Sequence, residues 1–213
     1  MSSTVEEKIK RIGSGDITVG VAGLGYVGLP MALEAARHCD RVIGIDVSAE
    51  RVEMLNRGES YVDDISDEEL GAADVFEATT SYEAVSECDV VTICVPTPLG
   101  KTGDPDVSYI VASVEAIARR MKPGKLIILE STTYPGTTEE VVRPRLEADA
   151  LRAGRDFFLA FSPERIDPAN KEFPVRKVPK VVGGVTPECT RVAAAFYGLI
   201  VDRVVPVSSS GVA

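Results

Sequence analysis

Histidine, cysteine and long apolar runs are scarce in this 213-residue sequence, and each scarcity excludes a class of protein. The four cysteines (Cys39, Cys88, Cys94 and Cys189) have neither Cys-x-x-Cys spacing nor a secretory context, so we expect reduced thiols. The one histidine, His38, falls near the end of a predicted helix, and no metal site is expected. No run reaches the roughly 18 apolar residues that a membrane-spanning helix requires.

Basic residues are outnumbered, since the sequence has 33 acidic and 23 basic residues and a formal net charge of −10. A broad nucleic-acid surface requires clustered lysine and arginine, so this composition argues against a nucleic-acid partner. The charged first fifteen residues lack the apolar core of a signal peptide. We therefore expect a soluble, cytoplasmic protein with no membrane partner.

Short β-branched runs alternate along the chain with longer amphipathic segments. Strands are predicted over 16–23, 41–46, 75–80, 89–96, 125–132, 156–164, 177–184 and 202–208. Helices are predicted over 26–38, 49–58, 81–88, 106–121, 136–154 and 187–200. Asp106 is expected to cap one helix and Pro144 to kink another. This alternation predicts an α/β fold of the Rossmann type, a doubly wound, mostly parallel sheet with helices on both faces.

In domain terms, residues 1–15 are expected to form a peripheral helix and 16–213 a nucleotide-binding domain. Three glycines within that domain (Gly23, Gly25 and Gly28) follow the first predicted strand and open a helix. Alone, such a motif occurs as readily in tight turns as in phosphate-binding loops. Its surroundings decide, because Asp46 ends the next strand eighteen positions beyond Gly28, the context that a dinucleotide-binding fingerprint requires.

Each part of this fingerprint has a physical role. Gly23 is expected to permit the sharp turn, Gly25 to let backbone approach a pyrophosphate, and Gly28 to allow close packing of helix on strand. The backbone amides near Tyr26 and Val27 are expected to face the phosphates at the positive end of the helix dipole.

The second strand and its helix bear on the choice between NAD and NADP. The Asp46 carboxylate can accept hydrogen bonds from a ribose 2′-hydroxyl but repels a 2′-phosphate, so NAD is favoured. Arg51 is either an ordinary exposed helix residue or a neighbour of the cofactor. The acidic run at 61–70 is expected to be a solvated face rather than a binding site.

Six segments occur in one order and together resemble the nucleoside-diphosphate-sugar 6-dehydrogenases, the UDP-glucose/GDP-mannose dehydrogenase family. The segments are GLGYVGLP (23–30), IGIDVSAERV (43–52), VTICVPTP (91–98), IILEST (127–132), YPGTTEEVV (134–142) and FSPERIDPAN (161–170). The resemblance runs from about residue 16 to the end of the sequence. It implies an enzyme that oxidises the C6 primary alcohol of a UDP- or GDP-sugar to a carboxylate, with two NAD accepting hydrides in succession.

By position, the resemblance implies further cofactor contacts after the fourth and fifth predicted strands. Val95, Pro96 and Thr97 match a segment that lies against the cofactor. Thr132 matches a threonine near the nicotinamide that helps to position water or a proton relay. Alternatively, Thr132 is a strand-end hydroxyl bonded to backbone, and Pro96 merely ends a strand.

The resemblance also implies residues that act on the substrate. Glu164 matches the carboxylate assigned to acid–base work or hydrolysis, and Arg165 and Ile166 match residues beside the sugar. Removal of a hydride from an alcohol needs a proton acceptor, so a carboxylate at a strand end suits this chemistry. Alternatively, Glu164 forms a salt bridge with Arg165 or caps a turn.

The segment SPERIDPAN (162–170) resembles the N-acetylhexosamine branch of the family, although Ala169 stands where that branch has glycine. UDP-N-acetylglucosamine is therefore favoured as substrate, with UDP-N-acetylmannosamine and UDP-glucose as alternatives. Family members continue into a central helix, through which they form homodimers, and a second domain that carries the nucleophilic cysteine. This sequence ends where that helix is expected, so the resemblance implies a monomeric NAD-binding part with little turnover alone. A stand-alone dinucleotide-binding module that acts with a partner is the alternative.

Overall fold

A computed structural model describes residues 5–100, 105–147, 150–164 and 175–213. Its strands are β1 (Thr18–Ala22), β2 (Arg41–Ile45), β3 (Phe76–Thr79), β4 (Val90–Ile93), β5 (Leu126–Leu129), β6 (Phe158–Phe161), β7 (Lys180–Gly184) and β8 (Val204–Pro206). Its α-helices are α1 (Val5–Gly13), α2 (Gly28–Ala36), α3 (Ala49–Asn56), α4 (Asp67–Gly71), α5 (Ser108–Ala118), α6 (Arg143–Leu146) and α7 (Pro187–Ile200). Single turns of 3₁₀ helix span Tyr82–Ser86 and Val175–Lys177, and a π-helix spans Thr137–Val142.

The strands form one sheet in the order β3-β2-β1-β4-β5-β6-β7-β8. Neighbouring strands are parallel except β6 and β7, which pair antiparallel. The first six strands in space therefore have the doubly wound order, and the predicted Rossmann-type fold is confirmed. β2 and β3 lie on one side of β1, whereas β4 and the later strands lie on the other side. At this switch in strand order a crevice forms beyond the carboxyl ends of β1 and β4, where ligands bind in such sheets.

Both faces of the sheet are apolar, as a parallel sheet covered by helices requires. Strands β4 and β5 are buried along their whole length, and alternate residues of each face opposite helix layers. One layer contains α2 and α7, with Leu29 and Phe196 fully buried, and the other contains α5, with Ile110 and Val114 fully buried. This double covering holds the strand ends rigidly and so fixes the loops that follow them.

Helix α1 packs against α7, with Ile12 fully buried between them. Arg191 of α7 donates a hydrogen bond of 2.6 Å to Glu6 of α1, and Lys8 and Arg11 both bind the Asp89 carboxylate at the start of β4. Among the helices of the described ranges, none is long and apolar enough to cross a membrane.

The prediction of one helix over 136–154 is wrong, because the helical segment ends at Leu146. Further along, Gly154 has a φ of +83°, in the left-handed region, and the Asp156 carboxylate accepts a hydrogen bond from the Arg152 N–H at 2.8 Å. These interactions make a turn that leads into β6. The alanine- and leucine-rich composition of the segment favours a helix, but the local carboxylate competes for the backbone donor.

Two smaller expectations are also adjusted. Helix α5 begins at Ser108 with Val107 as its N-cap residue, and Asp106 supports it from one position earlier, where its Oδ1 accepts from the Ser108 N–H at 2.9 Å. Pro144 lies in the first turn of α6, where a missing N–H costs little, at the point where the π-helix becomes α-helical.

Candidate cofactor-binding and active site

A cleft of about 370 Å³ opens at the carboxyl ends of β1, β2, β4, β5 and β6. The predicted site residues that line it are Gly23, Gly25, Tyr26, Val27, Asp46, Arg51, Val95, Pro96, Thr97, Thr132 and Glu164. Cys94, Glu130 and Ser131 line it too, and these three were not predicted as site residues. Gly28 lies beneath the cleft, and Arg165 and Ile166 lie outside the described residues.

The three glycines of the first loop have different surroundings. Gly23 has a φ of +92°, and a Cβ on it would lie 2.7 Å from the carbonyl oxygen of Cys94. A Cβ on Gly28 would lie 1.8 Å from the carbonyl oxygen of Gly23, so helix and strand approach too closely for any side chain. Around Gly25, by contrast, no atom of the described residues comes within 4 Å of an added Cβ. The loop is therefore closed on the protein side and open on the cleft side.

The N-terminus of α2 is the positive wall of the cleft. Side-chain oxygens of Ser48, Ser66 and Thr186 cap helices α3, α4 and α7. In α2 the N-cap residue is Val27, and within the described part of the chain no side chain caps this helix. The Leu29 N–H is already used, since it donates to the Gly25 carbonyl oxygen at 3.1 Å, and Pro30 has no N–H. Among the described residues, the N–H groups of Tyr26, Val27 and Gly28 have no acceptor, so they are left for an anion, which the helix dipole favours. A dinucleotide pyrophosphate fits both this donor set and the open space beside Gly25.

Asp46 is fixed at the end of β2 by two backbone donors. Its Oδ2 accepts a hydrogen bond from the Leu24 N–H and its Oδ1 from the Ser48 N–H, each at 2.9 Å. The residue is 8% exposed and lines the cleft. Because each carboxylate oxygen has two lone pairs, both oxygens retain acceptor capacity for the hydroxyls of a ribose.

Arg51 lies on the same wall, with its guanidinium carbon 5.2 Å from the centre of the Tyr61 ring. The Tyr61 hydroxyl donates to the carbonyl oxygen of Leu24 at 2.6 Å. Burial, with a smaller contribution from Asp46, raises the pKa of Tyr61 to about 12, so the phenol is a donor at neutral pH. The acidic side chains of the run at 61–70 are exposed, as predicted, but its tyrosine has an inward role that the composition concealed.

The loops after β4 and β5 are tied together at the other end of the cleft. The Thr97 hydroxyl donates to the carbonyl oxygen of Thr132 at 2.6 Å, and the Ser131 hydroxyl donates to that of Val95 at 2.7 Å. Thr132 itself is exposed to the cleft. These cross-links hold the predicted cofactor segment and Thr132 in one rigid unit.

A buried ion pair lies under this end of the cleft. Lys180 forms a salt bridge with Glu130, which is fully buried, and its Nζ lies 4.0 Å from Oε2 of Glu164. Burial lowers the pKa of Lys180, but the two carboxylates outweigh burial and raise that pKa above its ordinary value. Lys180 therefore carries a positive charge at neutral pH beside the predicted acid–base residue.

Sequence reasoning missed Glu130 and Lys180 as a pair. A weak signal existed, since each is a charged residue bordering an otherwise apolar strand. Their proximity depends on β7 running antiparallel to β6, which brings the first residue of β7 to the edge where β1 to β6 end. No local pattern in the sequence predicts that reversal.

The four cysteines are free, and all four are buried. Burial raises the pKa of Cys39 to about 11 and that of Cys88 to about 12, and it also raises the pKa of Cys94, which lines the cleft, and of Cys189. A thiol must ionise to act as a nucleophile, so none of them is reactive at neutral pH. Among the described residues, no group of three or more His, Cys, Asp or Glu side chains is arranged to hold a metal ion.

Comparison with known proteins gives the same reading of this geometry. Residues 17–201 match the model of the UDP-glucose/GDP-mannose dehydrogenase family, NAD binding domain. The chain is 38% identical over 187 residues to UDP-N-acetyl-D-glucosamine 6-dehydrogenase of Pseudomonas aeruginosa, in a match that covers 87% of this chain and 44% of that protein. It is 36% identical over 208 residues to UDP-N-acetyl-D-mannosamine dehydrogenase of Salmonella typhi, covering 91% and 48% of the two chains.

The fold matches solved structures equally well. NDP-N-acetyl-D-galactosaminuronic acid dehydrogenase from Methanosarcina mazei Go1 superposes with a TM-score of 0.86 at 34% identity, over 100% of this chain and 48% of that one. The chain thus spans just under half the length of these relatives. It belongs to the UDP-glucose/GDP-mannose dehydrogenase family, as the NAD-binding domain, and its cofactor is NAD.

Proposed function

We propose that this chain is the NAD-binding part of an enzyme that oxidises the C6 alcohol of a UDP-N-acetylhexosamine to a carboxylate. One observation carries the proposal: the glycine loop, Asp46 and the carboxylate of Glu164 line a single cleft. The phosphate cradle and the ribose acceptor lie at one end of this cleft and the acid–base group at the other, an arrangement that suits hydride transfer to a dinucleotide. The overall reaction consumes one water and two NAD for each alcohol oxidised.

The cofactor is held by groups on this chain. The N–H groups of Tyr26, Val27 and Gly28 would hold the pyrophosphate, and the Asp46 carboxylate would accept hydrogen bonds from the adenosine ribose. Arg51 lies beside the adenosine, and Val95, Pro96 and Thr97 form the opposite wall. Bound NAD supplies the hydride acceptor.

Proton transfer is assigned to Glu164, with Thr132 positioning the hydroxyl or water that reacts. A general base must lie within reach of the proton it removes, and Glu164 lines the cleft with its Oε2 4.0 Å from the Lys180 ammonium. Glu130 in turn holds Lys180 in place from beneath the cleft. Oxidation of an aldehyde stage through a thioester requires a thiolate, and the buried thiols of this chain do not provide one. We therefore propose that this nucleophile comes from outside the chain.

The sugar is assigned from the sequence at 162–170 and from the names of the relatives. UDP-N-acetylglucosamine is our first choice, supported by the 38% identity to the enzyme of Pseudomonas aeruginosa that is named for it. UDP-N-acetylmannosamine is the second candidate, since a relative named for that sugar is 36% identical over a longer match. For the complete protein we propose a cytoplasmic homodimer, and free thiols suit that reducing compartment.

Calorimetric titration tests the proposal in two stages. NAD is titrated first, and UDP-N-acetylglucosamine, UDP-N-acetylmannosamine and UDP-glucose are then titrated into the NAD-saturated protein. We expect NAD to bind more tightly than NADP and the first sugar nucleotide to bind more tightly than UDP-glucose. Binding of NAD without any sugar nucleotide would favour the stand-alone dinucleotide-binding module instead. Turnover is measured as NADH absorbance: little NADH is expected from these residues alone, and two NADH are expected for each uronate formed once the nucleophile is supplied.

A further inference from the structure

Tyr61 lies just behind the NAD cleft, in the acidic run that the sequence assigned to a solvated face. Its hydroxyl donates a 2.6 Å hydrogen bond to the carbonyl oxygen of Leu24, between the first two glycines of the loop. The N–H of the same residue donates to Asp46 at 2.9 Å. Both backbone polar groups of Leu24 are thus held by side chains from outside the loop.

The ring of Tyr61 makes a second contact with the wall of the cleft. The guanidinium carbon of Arg51 lies 5.2 Å from the ring centre, within the range of a cation–π interaction. Arg51 lines the cleft, whereas Tyr61 is not among the residues that line it. One side chain therefore contacts two elements of the cofactor site without reaching the cofactor.

The segment that carries Tyr61 is itself anchored. Val62 is 3% exposed and Ile65 is 7% exposed, and both belong to the core on the α2 face of the sheet. The Ser60 N–H donates to the Asp67 carboxylate at 2.7 Å, which fixes the segment to the start of α4. The phenol is therefore presented from a rigid support, as a positioning group requires.

We propose that Tyr61 is a positioning residue for NAD, which holds the glycine loop through the Leu24 carbonyl and orients Arg51 through its ring. A loop that contains two glycines has many accessible backbone conformations, and fixing one of them opposes binding. A hydrogen bond that already selects the bound conformation reduces this cost, which is the general effect of preorganisation. This inference rests on NAD binding but not on the identity of the sugar.

Three substitutions separate this role from ordinary packing. Tyr61→Phe removes the hydroxyl and keeps the ring contact with Arg51, while Tyr61→Leu removes both. The matched control is Tyr82→Phe, because the Tyr82 hydroxyl also donates a partly buried hydrogen bond, to Ser113 at 3.0 Å, but does not reach the glycine loop. All three proteins are compared with the wild type at temperatures where thermal unfolding shows them to be folded.

NAD affinity is measured by calorimetry, and amide hydrogen exchange of Gly25, Tyr26 and Val27 is measured without NAD. We expect Tyr61→Phe to raise the dissociation constant by about two- to tenfold and to speed exchange of these amides by a similar factor, as one hydrogen bond is worth. Tyr61→Leu is expected to weaken binding further, and Tyr82→Phe to leave both measurements unchanged.

The possible failures are distinguishable. If the wild type does not bind NAD, the cofactor assignment falls and this inference falls with it. If the wild type binds NAD and Tyr61→Phe binds it equally well with unchanged loop exchange, the positioning role is wrong while the proposed function stands. Equal losses in Tyr61→Phe and Tyr82→Phe would show that both hydroxyls act only through stability, which also overturns the inference.

Discussion

Gly25→Ala is expected to weaken NAD binding and Gly28→Ala to lower folding stability, although the two glycines lie only three positions apart. Each substitution adds a single methyl group. At Gly28 that methyl would lie 1.8 Å from the Gly23 carbonyl oxygen and 3.2 Å from Cβ of Cys94. At Gly25 it would enter open cleft, and Gly25 does not have a positive φ. Only Gly28→Ala should therefore disturb the fold.

The magnitudes follow from those distances. Non-bonded carbon contacts are optimal at about 3.5–4.0 Å, so a 1.8 Å approach to backbone forces helix α2 away from the sheet. Overpacking of this kind costs about 1–3 kcal/mol of folding stability and occasionally more. Gly25→Ala should change stability by less, and a gain of about 0.4–1 kcal/mol is expected if only the unfolded chain is restricted. Its effect falls on the ligand, since each charge-assisted hydrogen bond lost to the pyrophosphate costs about 1.5–3 kcal/mol.

Urea unfolding and NAD calorimetry measure the two effects separately. Gly25→Ala should unfold at or above the wild-type midpoint and bind NAD at least about tenfold more weakly, a factor equivalent to about 1.4 kcal/mol. Gly28→Ala should unfold at a lower urea concentration. Gly198→Ala is the control, because that glycine is exposed on α7, away from the cleft, and alanine there should raise stability by up to about 1 kcal/mol without affecting NAD. Wild-type NAD affinity in Gly25→Ala would refute the phosphate-cradle interpretation.

Three further perturbations test other parts of the site. Asp46→Asn should reduce the preference for NAD over NADP by about tenfold or more, as loss of a charge-assisted hydrogen bond implies, and an unchanged ratio of dissociation constants would exclude the ribose contact. Lys180→Met should lower the free energy of unfolding in urea by about 3–5 kcal/mol, because it leaves Glu130 as a buried unpaired charge. Lys177 is exposed, so Lys177→Met should change the free energy of unfolding by less than about 0.5 kcal/mol. Equal losses in the two variants would contradict a stabilising buried pair of Lys180 and Glu130. At about pH 8 the thiolate fraction of Cys88 should be about a thousandfold below that of an unfolded cysteine, since its pKa is about 12 against an ordinary 9.0. A thiol reagent should accordingly label the native protein slowly and the unfolded protein at all four cysteines, and rapid native labelling would show that the thiols are accessible.

The cofactor end of the site was predictable because its determinants are local. Gly23, Gly25 and Gly28 are specified by the steric demands of one turn, and Asp46 by its place at the end of the next strand. Parallel strand–helix units bring such positions together in any chain that follows the alternation. Sequence alone was therefore sufficient for the α/β fold and for NAD as the cofactor, while the phosphate contacts of the loop stay a prediction.

The end of the cleft that carries Glu164 depended on contacts between residues far apart in the chain. Lys180 reaches Glu130 and Glu164 only because β7 turns antiparallel to β6, and strand direction is decided by packing at the sheet edge rather than by composition. The helix predicted over 136–154 stops at Leu146 for a different, local reason, since the Asp156 carboxylate takes the Arg152 N–H in the turn that follows.

Tyr61 marks the boundary between what the sequence determined and what the tertiary structure decided. The acidic residues of the run at 61–70 are exposed, and the sequence determined that much from charge alone. The Tyr61 hydroxyl binds the carbonyl oxygen of Leu24, thirty-seven positions away, and its ring contacts Arg51 on helix α3. Periodicity and composition report on the face a residue presents within its own element, whereas a hydrogen bond between elements depends on how the folded elements are arranged in space.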